Sequence, residues 1–168
     1  MCSSDLEDTR SISGFNYRLT ELQGAVGLAQ LKKLDYILWQ QRKNKKKIKD
    51  SISYLNLQFR NIVDDGETGD TLVFFLEDSK AAKYFENILR ENGLGTKNLP
   101  DALSWHFTGM WKHIFYQYKK FKGKNLVKIW QESYSILSRA IAIPIFVNMD
   151  KARIERIVDA IRTITKDL

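Results

Sequence analysis

The chain has 168 residues, 43% of them hydrophobic and 12% aromatic, with nine Gly, two Pro and one Cys. That length fits one compact domain, or one and a small appendage; the aromatic content excludes a chain that stays disordered, and a single Cys excludes an internal disulfide, as in a reducing cytoplasm. The formal net charge is +7, but eight cations (Lys32, Lys33, Arg42, Lys43, Lys45, Lys46, Lys47 and Lys49) fall in one stretch, which fits a solvated helix face better than a nucleic-acid site.

Residues 1–13 are polar and without periodicity, and they read as an extended lead-in. The acidic Asp5, Glu7 and Asp8 stand where a signal peptide needs basic and then apolar residues. Thr20 and Gln23 have the spacing of a capping box. From there Leu22, Val26, Ala29, Leu34, Ile37 and Leu38 recur at helical spacing, and Ile48, Ile52 and Leu55 extend the pattern into one long helix. Gly24 and Gly27 in its first turns suggest the close approach of another backbone, for instance in self-association.

Asp64 to Asp70 is a turn-rich loop, and Thr71-Leu72-Val73-Phe74-Phe75-Leu76 is a β-prone run. Ser79 is placed to cap a helix with Ala82, Phe85, Ile88 and Leu89 inward, and Asn92-Gly93 is placed to end it. Leu94 to Leu99 reads as a second short strand. Residues 100–124 are irregular, a helix is expected from about Asn125 to Arg139, and Ala140 to Ile145 is a strand with Pro144 at an edge or end. Asp150 caps a last helix with Ile154, Ile157, Val158, Ile161 and Ile164 on one stripe. The order implies an α/β sandwich with helices on a small sheet. No apolar run approaches the ~20 residues that span a bilayer, so the expectation is a soluble cytoplasmic protein without a membrane partner.

A search for chemistry finds no complete site. The chain has one Cys and two His, too few for a Cys/His zinc site. The phosphate-loop and dinucleotide fingerprints are absent, and Gly93-Leu94-Gly95 lacks the third glycine and follows a helix. Cys2 lies near the chain end, no carboxylate is placed to orient His106, and nothing distinguishes Lys112 from the other cations.

Two segments stand out. In Gly14-Phe15-Asn16-Tyr17-Arg18 an extended backbone would project Asn16 and Arg18 together, beside a helix N-terminus that favours anions. An amide donor with a guanidinium fork suits phosphate or carboxylate; alternatively Asn16 completes a turn and Arg18 pairs with Glu21. Trp105-His106-Phe107-Thr108-Gly109-Met110-Trp111-Lys112-His113 could wall a pocket for a planar or sugar-like ligand. The alternative is an irregular loop pinned by large apolar side chains.

The stretch Gly14-Phe15-Asn16-Tyr17-Arg18-Leu19-Thr20-Glu21-Leu22-Gln23-Gly24-Ala25-Val26-Gly27-Leu28-Ala29-Gln30-Leu31 resembles a signature of the DegT/StrS sugar aminotransferases, which are pyridoxal phosphate (PLP) enzymes of the aspartate aminotransferase fold. The His106 loop stands where that family carries a substrate-side His, and Ile141-Ala142-Ile143-Pro144 resembles its strand before the last helix. The resemblance implies the small C-terminal domain of such an enzyme: a long N-terminal helix and further helices on a small, mainly antiparallel sheet. Residues 1–19 would be an extended lead-in carrying the Asn/Arg clamp, and residues 20–168 the small domain.

By the same resemblance, Asn16 contacts the PLP phosphate of the neighbouring subunit of a homodimer, Arg18 faces that subunit's substrate site, and His106 contacts substrate. Trp105, Trp111 and His113 depart from the general pattern; with Trp111 and His113 as substrate contacts they suggest a branch acting on a larger acidic sugar, such as an amino-octulosonate-forming one. The implied activity is amino transfer from glutamate to a keto-sugar, for lipopolysaccharide or other cell-surface polysaccharide, or for antibiotic sugars. The family's lysine that anchors PLP, and the Asp on its ring nitrogen, lie upstream of the motif. Thirteen residues precede Gly14 and none is Lys. The expectation is therefore an enzyme fragment inactive alone, with a large PLP-binding domain as its partner. A non-catalytic association domain of the same ancestry is the alternative, and a basic nucleic-acid-binding protein a third.

Overall fold

The structure is a computed structural model that describes residues 19–63 and 66–167. By its contacts the chain divides into two units, residues 1–34 and 35–168. In the first, helix α1 (Glu21–Leu31) opens as the sequence implies. The Thr20 hydroxyl accepts from Gln23 N at 3.2 Å, and Gln23 Oε1 accepts from Thr20 N at 2.9 Å. Its stripe is not buried, however: Leu22 is 76% exposed and Val26 53%. Among the described residues nothing lies within 4 Å of where a Gly27 Cβ would stand, and a Gly24 Cβ would meet only the Leu19 side chain at 3.7 Å.

The single long helix expected from Thr20 to Leu55 is interrupted. Lys33 N bonds to Gln30 O, three residues back, so Lys32 and Lys33 form a turn; helix α2 follows (Leu34–Ser51). In the second unit, α2 contributes the fully buried Ile48 and the turn after it the fully buried Ile52, whereas Ile37 and Leu38 are half-buried.

The sheet has three strands, β1 (Gln58–Phe59), β2 (Thr71–Phe75) and β3 (Ala140–Pro144), antiparallel in that order. Leu72 pairs with Ile143 and Phe74 with Ile141, and these four side chains are buried. Helix α3 (Ser79–Glu91) adds Ala82, Phe85 and Leu89, and helix α8 (Lys151–Lys166) adds Ile157, Val158, Ile161 and Ile164 to the same core. The Phe74 and Phe85 rings meet edge to face at 5.5 Å. Strand β1 was not expected; two residues are too few for a periodic signal. Pro144 closes an outer strand, where the missing N–H is tolerated.

Caps follow the expected chemistry with one shift. Asp150 Oδ1 accepts from Arg153 N at 2.7 Å and starts α8. For α3 the cap is Asp78 rather than Ser79: its carboxylate accepts from both Lys80 N and Ala81 N at 2.8 Å. Gly93, at φ 68°, ends α3, with Leu94 N bonded to Leu89 O.

Leu94 to Leu99 is not a strand, because Asn98 takes a positive φ of 70°. The segment still caps the outer edge of β3: Lys97 N donates to Ala142 O, and Ala142 N to Leu99 O. Residues 100–124 contain the short helices α4 (Leu103–His106) and α5 (Lys112–Phe115), joined by a 3₁₀ turn at Thr108–Met110. The helix expected over 125–139 breaks into α6 (Leu126–Ile129) and α7 (Gln131–Leu137). At the break, Trp130 leaves helical geometry (φ −115°, ψ 43°) and its ring packs at 5.2 Å from Phe115 and 6.0 Å from Phe121.

Candidate functional site

Asn16 and Arg18, the expected anion clamp, lie outside the described residues, as does any pairing of Arg18 with Glu21. The aromatic and His segment is described throughout, and one side chain fixes it. Phe107 is 3% exposed and its ring stacks near Tyr134, with centroids 5.5 Å apart. The same ring lies over Gly109, where a Cβ would come within 2.3 Å of Phe107 Cε1, so the turn depends on the absence of a side chain there. Phe107 and Gly109 thus fix the turn between α4 and α5.

Its remaining members point elsewhere. Trp105 is 79% exposed, and both His106, at the end of α4, and His113, on α5, are exposed. Trp111 is half-buried, and its Nε1 donates to Trp105 O at 2.9 Å. That bond commits the indole N–H and leaves Trp111 only its ring faces for a ligand. Lys112, next to it, is an exposed lysine on the same short helix.

A buried polar network on α2 went unread in the sequence. Asn44 is 1% exposed; its amide donates to Phe146 O at 2.9 Å and Val147 O at 3.3 Å, while its Oδ1 accepts from Gln40. Gln41 donates to Ile145 O, Arg42 Nε to Glu67 O at 2.8 Å, and Lys45, buried, pairs with Glu67. Arg42 and Lys45 of the basic run therefore build the fold. Its only sequence signal is that Asn44 and Lys45 share the helical face of Ile48 and Ile52, which periodicity assigns to the interior. Lys46 pairs with Asp50, and the Lys43 ammonium sits 4.5 Å from the centre of the Trp39 ring, beside an open depression of about 410 Å³ lined by Asp35, Leu38 and Arg42.

Elsewhere, Asp70 accepts from Thr68 Oγ1 at 2.7 Å and pairs with Lys97; the hydrogen bond from Lys97, then that from Thr68, holds its carboxyl below the ordinary carboxylate range. Among the described residues no group of three or more His, Cys, Asp or Glu could hold a metal ion, and no helix is long and apolar enough to cross a membrane.

The sequence model of the DegT/DnrJ/EryC1/StrS aminotransferases matches residues 3–162. The chain belongs to this family. Structures of sugar aminotransferases share its fold. Helicobacter pylori PseC, an aminotransferase of pseudoaminic acid biosynthesis, is 14% identical, with a TM-score of 0.66 over 98% of this chain and 42% of that one. CalS13 from Micromonospora echinospora is 18% identical, with a TM-score of 0.63 over 89% and 37%. Spr1654 from Streptococcus pneumoniae, in its PMP form, gives 11%, 0.68, 88% and 35%. The chain thus spans between 35% and 42% of the length of these three relatives.

The family's aminotransferases depend on PLP, which requires a lysine, a carboxylate at the ring nitrogen and donors to the phosphate. The described residues do not bring such a set together. Lys45, the only buried lysine among them, is committed to Glu67, and Lys112 is exposed on a four-residue helix. By themselves they do not fit the cofactor.

Proposed function

We propose that this chain is the C-terminal part of a PLP-dependent sugar aminotransferase that moves an amino group from glutamate to a keto-sugar. Residues 1–19 would be the lead-in carrying the clamp and residues 20–168 the small domain of a cytoplasmic homodimer. The observation that carries the reading is the Gly14–Leu31 signature, which falls within a family match running through residue 162. When bound, PLP supplies the electron sink for the reaction. This chain's part is binding and orientation. The Asn16 amide would donate to the phosphate of the neighbouring subunit's cofactor, and the Arg18 guanidinium would pair with a carboxylate. His106 and His113 have exposed imidazoles that a polar sugar can reach, and Trp111 offers a ring face against which a sugar can lie. An acidic keto-sugar destined for a surface polysaccharide suits this mixture of cations, imidazoles and aromatic rings.

The test begins with PLP mixed with the purified chain, followed by borohydride reduction and mass spectrometry. The expected result is the spectrum of free PLP and no covalent adduct. The chain fused behind the lysine-bearing large domain of a relative should then form 2-oxoglutarate from glutamate when a keto-sugar is present, and lose that activity with Asn16→Ala. A specific adduct on the chain alone, or a fusion that binds PLP but ignores Asn16→Ala, would overturn the assignment of roles.

A further inference from the structure

A second concentration of charge lies away from the basic helix. Between Asp101 and Glu132 the sequence holds six Lys (Lys112, Lys119, Lys120, Lys122, Lys124 and Lys128), and no Asp, Glu or Arg. All six are exposed, and among the described residues none of them makes an ion pair. In α2, by comparison, Lys45 and Lys46 are paired with carboxylates.

Four of the six crowd into residues 119–124, a loop that its own backbone holds. Phe121 N and Lys122 N both donate to Tyr118 O, Lys124 N donates to Phe121 O, and Tyr116 Oη closes the loop on Lys124 O at 3.0 Å. Phe121 anchors it inward against Phe115, at 5.2 Å between ring centres, and against Trp130. Apolar side chains close to the lysines in sequence are exposed: Tyr118 at 59%, Ile114 at 41% and Ile129 at 44%. The Lys120 ammonium sits 4.8 Å over the Phe121 ring; ammonium groups this close in sequence repel one another, a repulsion that an external anion offsets.

We propose that the lysine loop 119–124, with Lys112 and Lys128 on the flanking helices, docks the protein on an anionic lipid bilayer. Lysine is a compact charge on a long apolar stem, suited to a diffuse layer of headgroups, and the neighbouring Tyr and Ile side chains suit the boundary between headgroup and acyl chain. Nucleic-acid sites draw on guanidinium forks for bases and phosphates, and this segment contains no Arg. That no helix among the described residues is long and apolar enough to cross a membrane bears on insertion and not on surface contact. The inference does not rest on the aminotransferase reading, so either can fail alone.

The test is co-sedimentation of the chain with phosphatidylcholine–phosphatidylglycerol vesicles at about 0.1 M salt, against pure phosphatidylcholine vesicles. Binding should require the anionic lipid and weaken steeply as salt is raised. Each lysine in the headgroup layer contributes about fivefold to partitioning, so the variant Lys119→Gln/Lys120→Gln/Lys122→Gln/Lys124→Gln should lose at least ~25-fold, the value for two lysines in contact. A control with the same loss of net charge, Lys32→Gln/Lys33→Gln/Lys43→Gln/Lys47→Gln, should lose less than about threefold, and circular dichroism should show both variants folded. Equal losses in the two variants would mean that net charge alone acts and would overturn the proposal. So would equal binding to neutral vesicles, absence of binding to anionic ones, or single-stranded nucleic acid displacing the protein from vesicles through the same lysines.

Discussion

Gly69 is where the loop before β2 meets helix α2, and it offers a quantitative check on how α2 is held. Its φ is 76°, and a Cβ there would stand 2.8 Å from Arg42 N and 3.0 Å from Arg42 Cα. The obstacle is helix backbone, which cannot swing aside as a side chain can, and the Arg42–Glu67 and Lys45–Glu67 contacts hold the two segments together. Gly69→Ala should therefore incur about 1–2 kcal/mol for a left-handed alanine and about 1–3 kcal/mol for overpacking. Gly93→Ala is the control: its φ is 68°, but nothing lies within 4 Å of its Cβ, so only the backbone component applies. At about 2–4 °C per kcal/mol for a domain of this size, Gly69→Ala should melt roughly 4–20 °C below the parent and Gly93→Ala roughly 2–8 °C below it. Thermal unfolding followed by far-UV circular dichroism, with urea unfolding as a cross-check, reads both. Equal shifts for the two variants would refute the close approach of loop and helix.

Two further predictions concern polar groups. Asn44→Ala removes the donor to Phe146 O and Val147 O from an almost fully buried site, and should destabilise by about 2–4 kcal/mol, whereas Gln40→Ala, losing one neutral bond, should cost about 1 kcal/mol or less; chemical denaturation of both separates them. For Asp70 the folded carboxyl lies below its ordinary range, so its contribution is complete above the unfolded value of about 3.9 and disappears as pH falls through the lower folded value. Asp70→Asn should thus be less stable than the parent at neutral pH, with the gap closing only in acid. A gap that closes between pH ~5 and ~7 would point to a different titrating group.

What the sequence revealed was local. The Thr20–Gln23 box, the Asp150 cap, Gly93 at the end of α3 and the runs of β2 and β3 each depend on residues within a few positions, and all are present. The features it concealed depend on distant partners. Asn44 reaches carbonyls 102 and 103 positions away, and those partners make a polar residue welcome in the interior. Trp130 breaks a helix because Phe115 and Phe121 capture its ring, which no helical periodicity records. Asp78 displaced Ser79 as a cap because a carboxylate one residue earlier satisfied two amides at once. In the candidate site, Trp111 was legible as an aromatic, but its commitment to Trp105 O was not. Asn16 and Arg18 were read from a motif, and their reading still rests on it.

The ends of the sheet carry a last consequence. On one side Lys97 and Leu99 occupy the polar groups of Ala142, and Pro144 has no N–H to offer. On the other, β1 is only two residues long. A strand as apolar as Ala140-Ile141-Ala142-Ile143 would otherwise be a template for fibrils. With both margins blunted, strand-by-strand growth from molecule to molecule is blocked. Copies of this chain that meet in solution must do so through their helices and loops, and concentrated samples should yield discrete assemblies rather than thioflavin-positive aggregate.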